Sequence, residues 1–184
     1  NERDRPALGM PVCQTIVDVM TAFGWNGSRQ QPRSEREQTT SALQPLMLFN
    51  GLVSQRITRL SEQSAVTELC LRDISVSTLV DRLFLSVLGR RSDEKERQRF
   101  VSLLRPNFGD RHTGKLARPV EPLSTFQPDW RKHLEAEQTR LMLEAQQRVS
   151  RGEPSTVRLT NDFRERVEDA LWALINSPEF VVIP

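Results

Sequence analysis

The stretch "SVSTLVDRLFLSVLGRRSDEKE", Ser75–Glu96, decides the fold class. Val76, Leu79, Val80, Leu83, Phe84, Val87 and Leu88 recur at helical spacing and build one wide apolar face. Ser75 offers a side-chain oxygen to the first turn, and Gly89 stands where the chain must leave the helix in a left-handed turn. Ser92 is placed to cap a second helix whose first turn is acidic, as the helix dipole favours. Phe100, Leu103 and Leu104 face inward from that helix, and Pro106 stops it. With only "GRR" between them, the two form a tight helical hairpin.

Working outward, no stretch shows the sustained period-two alternation of a strand, so the chain reads as all-α. Val12 to Phe23 is a short amphipathic helix, and residues 24–40 are a polar loop rich in Gly, Pro and Arg. In "TTSALQPLMLFNG", Ser41 and Gln44 have the spacing of a capping box, which puts Pro45 in the first turn, where no intrahelical bond is lost. Leu43, Leu46, Met47, Val53, Ile57 and Leu60 are expected to form one buried stripe on a continuous helix. Asn50 falls on that stripe, where a buried amide must find a partner, and Gly51 beside it permits close approach. We expect Asn50 to tie this helix to a neighbouring backbone.

"SAVTELCL" supplies a short helix through Cys70, residues 105–128 an irregular insert, and about 128–151 a long helix with a narrow apolar stripe. The last helix, capped by Thr160 or Asn161, carries Phe163, Val167, Ala170, Leu171, Leu174 and Ile175, with Ser177-Pro178 opening a final turn. The expected architecture is a single helical domain over residues 1–184, an irregular bundle of about six helices with long polar loops.

The chemistry the sequence could carry is sparse. Its 184 residues hold a net charge of +2, too balanced for wholesale nucleic-acid binding, and no apolar run is long enough for a membrane span. His112 and His133 lie in no metal-binding pattern, and no cofactor motif is present. No nucleophile elbow, SxxK or phosphate-binding loop occurs, and the paired acids sit on polar helix faces. Cys13 and Cys70 are either two free core thiols or a pair in an oxidising compartment. One local excess of cations, Arg90, Arg91, Arg105, Arg111, Lys115 and Arg118, is a candidate interaction strip for an anionic polymer or a partner.

The order of the segments resembles the planctomycete-type domain of unknown function 1553. The resemblance rests on "VDVMTAFGWNGSR"; on "QTTSALQPLMLFNG", which follows TT-x-x-x-Q-x-L-x-x-x-N; on the "lGR" hairpin within "VDRLFLSVLGRRSDEKE"; and on "DALWALINSPEF", with Trp172 and the S-x-E-F ending. It spans about Val17 to Val182 and leaves out 105–160. It departs from the family where Arg91 and Ser92 follow "GR" without the usual proline. The resemblance implies the C-terminal piece of a larger exported bacterial protein, hence an extracytoplasmic location, and carries over no catalytic residue. The functional expectation is therefore a non-enzymatic interaction or scaffold domain that docks other modules of its parent protein or protein subunits. The alternatives are a domain acting on an extracellular polysaccharide and a docking domain for a cytochrome-like module.

Overall fold

In the computed structural model, residues 19–23, 43–119 and 135–181 are described. The chain forms two compact units, Asn1–Gln44 with Glu121–Glu153 and Pro45–Val120 with Pro154–Pro184. Among the described residues the secondary structure is helical apart from two isolated β-bridges, so the fold is all-α. The helices are α1 (Leu43–Asn50), α2 (Leu52–Thr58), α3 (Ala65–Cys70), α4 (Val76–Leu88), α5 (Glu94–Leu104), α6 (Ala136–Arg151), α7 (Asn161–Ile175) and α8 (Pro178–Val181).

In the first unit, residues 19–22 are helical, as the periodicity of Val12–Phe23 requires, and the Gln44 side-chain amide donates to Ala22 O at 3.0 Å. Gln44 thus reaches back to the preceding helix; its supposed capping partner Ser41 lies outside the described residues, as do loop 24–40, Cys13 and His133. The α6 helix has exposed faces braced by Arg140, which bridges Glu137 at 2.7 Å and Glu144 at 2.8 Å. It ends at Gly152, whose φ of 69° turns the chain out of the helix. The start of this helix near 128, and Trp130 and Leu134 of its stripe, lie outside the described residues.

The second unit is organised around α7, which packs against α2, α4, α5 and α8. Its Phe163, Val167, Ala170, Leu171 and Leu174 meet Leu79, Val80, Leu83 and Phe84 of α4, Leu104 of α5, and Leu60, Leu69, Cys70 and Leu159. Each such Leu or Phe contributes about 1.5–3 kcal/mol by leaving water, so the apolar face read from Ser75–Glu96 and that of α7 together supply most of the core. Phe84 meets Phe100 edge-on at 5.0 Å between ring centroids, which fixes the hairpin's packing angle.

The caps follow the expected chemistry with one shift. Ser75 Oγ accepts from Thr78 N at 3.1 Å, and Gly89 adopts φ 70°. The N-cap of α5 is Asp93, not Ser92: Asp93 Oδ1 accepts from Glu96 N and Glu96 Oε2 from Asp93 N, both at 2.8 Å. A carboxylate is the better acceptor at a helix N-terminus, and Ser92, freed from that role, donates to Asp81 Oδ1 at 2.7 Å.

The helix expected from Ser41 to Leu60 is broken. At Gly51 the backbone is extended (φ −80°, ψ 159°), so α2 restarts out of phase with α1. Leu48, Ser54 and Thr58 are consequently buried, while Leu43, Leu46 and Ile57 of the expected stripe are exposed; Leu60 is buried as expected. The Asn50 side chain lies outside the described residues. Gly51 itself is required, because a Cβ there would collide with Met47 O. Gly51→Ala should therefore destabilise the protein by about 1–3 kcal/mol in urea unfolding, the range for overpacking; an unchanged midpoint would show that the break tolerates a side chain.

Candidate functional site

The segment 154–160 is gripped from both sides. On one side Thr156 N donates to Leu60 O at 2.7 Å, beside an antiparallel bridge between Ser61 and Ser155. On the other, Thr113 N donates to Arg158 O at 3.0 Å and Thr160 N to Arg111 O at 2.9 Å, around a His112–Leu159 bridge. Part of the irregular insert, 111–113, is thus an ordered strip of backbone.

Two buried charged groups lock this girdle. Glu62, whose side chain is 5% exposed, accepts from Val157 N at 2.9 Å, Thr156 Oγ1 at 2.9 Å and Arg158 Nε at 3.0 Å. Burial alone would raise its pKa, but these donors outweigh burial and hold the carboxyl below its ordinary value. Arg158 Nη2 also donates to Glu62 O at 2.8 Å and Glu68 Oε1 at 2.6 Å.

Arg111, 6% exposed, donates from Nε to Cys70 O at 2.8 Å, from Nη1 to Phe108 O at 2.7 Å and from Nη2 to Arg72 O at 2.9 Å. Its guanidinium carbon lies 4.0 Å from the centroid of the Phe108 ring. Two of the carbonyls, those of Cys70 and Arg72, lie at the C-terminal end of α3, where the helix dipole is negative and a cation is stabilised. Arg111 therefore leaves the proposed cationic strip: it is a buried fastening, not a surface contact.

Arg90 leaves it too. Its Nε and Nη2 bind the Glu179 carboxylate at 2.7 Å each, and Nη1 and Nη2 bind Glu96 at 2.8 and 2.7 Å. Nη1 also donates to Arg91 O at 3.0 Å, so all five donors of the side chain are engaged. Hydrogen bonding to Arg90 takes the Glu96 carboxyl down to about 2. Arg91, Arg105, Lys115 and Arg118 remain exposed, with Arg105 beside a shallow depression of about 670 Å³ lined by Gln98, Val101, Ser102 and Pro106.

Cys70 is a free, buried thiol, and burial pushes its pKa up to about 12 against the pull of the Arg111 charge. It is an inert core group. In a Cys13→Ser background, an aromatic disulfide reagent at pH 8 should leave native Cys70 unmodified and label it on unfolding; rapid labelling of the folded chain would contradict its burial. Among the described residues no cluster of three metal-ligating side chains occurs, and no helix is long and apolar enough to cross a membrane.

One group of exposed apolar side chains stands apart. Helix α1 contains no charged residue; its Leu46 and Phe49 are 60% and 48% exposed, and Ile57 of α2 is 51% exposed. Trp172 of α7, 36% exposed, meets the Phe49 ring at a 59° tilt, 5.0 Å between ring centroids, and donates its Nε1–H to Phe49 O at 3.1 Å. Sequence periodicity assigned Leu46 and Ile57 to the core because it could not register the phase break at Gly51. The fastenings Glu62, Arg158 and Glu179 were missed as well. The available signal was a charge inside an otherwise apolar context, as in "SPEF".

The molecule these features define is an all-α domain whose buried charges serve as fastenings. The family model described as "PSD1: Protein of unknown function (DUF1553)" matches residues 1–104, more than half of the chain, and the protein belongs to that family. The match takes in α1 to α5 and three of the four sequence motifs; "DALWALINSPEF" lies beyond it. No curated protein and no solved structure matches the chain.

Proposed function

We propose that this chain is a non-enzymatic interaction domain. The observation that carries the reading is the exposure of Leu46, Phe49, Ile57 and Trp172, large apolar side chains left in water, of which Phe49 and Trp172 touch. Exposed apolar groups of this size stabilise a complex when a partner covers them and stabilise nothing when none does. The buried or saturated state of Glu62, Arg90, Arg111 and Arg158 supports the same reading, since it assigns the most conspicuous charges to holding the fold. The partner class is other modules of a longer parent protein or protein subunits, in an extracytoplasmic setting as the sequence resemblance implies.

Light scattering after size exclusion at several concentrations, together with capture from envelope extract, tests this. Association that is lost in a Leu46→Ser, Phe49→Ser double variant of unchanged melting temperature is the expected result. A strict monomer that captures nothing would sink the proposal.

Contact with an anionic polymer is a second reading, which draws on exposed Arg91, Arg105, Lys115 and Arg118. It would appear as binding to a sulfated polysaccharide that weakens steeply with salt.

A further inference from the structure

The last helical turn, α8, offers an inference independent of the interaction surface. It is four residues long, too short to be stable as an isolated helix. Its local support is small: Phe180 N donates to Ser177 O at 3.1 Å and faces Ser177 Oγ at 3.3 Å, while Ser177 Oγ donates to Leu174 O at 2.7 Å. A single helical turn frays unless something ties it down. Here α8 packs against α4 and α7, and Glu179 is held through both oxygens by Arg90, 89 residues away in sequence.

Arg90 is itself fixed in place. Gly89 turns the chain sharply after α4, and Glu96, anchored by its capping-box bond to Asp93 N, grips the other edge of the same guanidinium. The planar fork is thus pre-set in the orientation that receives the second carboxylate.

We infer that α8 is a strap buckled to the α4–α5 corner by Arg90, and that it opens as a unit of its own while the core stays folded. The buckle is half-exposed, with Arg90 and Glu179 side chains 38% and 41% accessible, so salt reaches it. A doubly bonded, charge-assisted pair can be displaced by ions in a way that the apolar core cannot.

Amide hydrogen exchange on the whole chain tests the strap. In Arg90→Lys, whose ammonium cannot fork onto two carboxylates, exchange at the Phe180 amide should rise by up to about fivefold, the range an exposed ion pair supports. Glu179→Gln should show the same rise, and 1 M NaCl a smaller one in the unaltered protein, with the amides of Leu83 and Val167 unchanged in each case. The inference is overturned if Phe180 exchange is unaltered in Glu179→Gln, or if Leu83 and Val167 accelerate together with it. Because Glu179→Gln leaves the α4–α5 corner intact, it decides the matter even if Arg90→Lys does not fold.

Discussion

Arg111→Ala should cost about 4 kcal/mol and leave the protein largely unfolded at modest urea concentrations. The substitution strips three carbonyls, the buried one of Cys70 and the part-buried ones of Arg72 and Phe108, of their donors at once. Each unpaired buried polar group costs about 1–3 kcal/mol. It also removes the cation at the C-terminal end of α3 and the plane packed over Phe108. Lysine should restore little, since one ammonium cannot reach three carbonyls spread around a guanidinium plane. Urea unfolding of Arg111→Ala and Arg111→Lys checks this, and losses below about 1 kcal/mol would show that water replaces the guanidinium without penalty.

Glu62→Ala should cost about 3 kcal/mol, the scale for removing one partner of a buried ion pair. It orphans Val157 N and the Thr156 hydroxyl and leaves Arg158, 18% exposed, with half its pairing. Glu62→Gln keeps an acceptor but loses the charge, and should fall between. The carboxyl also sets a pH dependence whose sign follows from its direction. Its folded pKa lies below the ordinary value of 4.5, so its contribution is present above pH 4.5 and is lost as the pH falls through the folded value. Glu96 acts in the same sense, down to about pH 2. Unfolding free energy measured from pH 6 to pH 2 should therefore decline, and decline less steeply in Glu62→Gln. An identical slope in both proteins would mean that Glu62 is not held in its charged form.

The helices of the second unit were legible because their signals are local. The apolar face of α4, the Ser75 cap and the left-handed Gly89 depend only on residues a few positions apart, and each stands where the sequence placed it. The cap of α5 was misassigned by one residue because Ser92 and Asp93 compete for the role and only geometry ranks them. The stripe on α1 and α2 was misread for a different reason. A helical wheel assumes unbroken rotation, and one extended residue at Gly51 resets the phase, sending Leu46 and Ile57 outward and Leu48 inward. The candidate cationic strip failed in part because charge counting cannot distinguish an arginine facing water from one wrapped in carbonyls, as Arg111 is.

What this sequence determined by itself was a set of helices, most of their ends, and membership in a family recognisable by short motifs in order. Those properties arise from backbone periodicity and capping, which act within one or two turns. What only the tertiary structure decided is which charges are buried and which apolar side chains are not. Arg90 meets Glu179 across 89 positions, and Glu62 meets Arg158 across 96. Trp172 caps the Phe49 carbonyl across 123. Pairings at such separations are set by how the helices pack around α7, and packing is a property of the assembled core rather than of any segment in it.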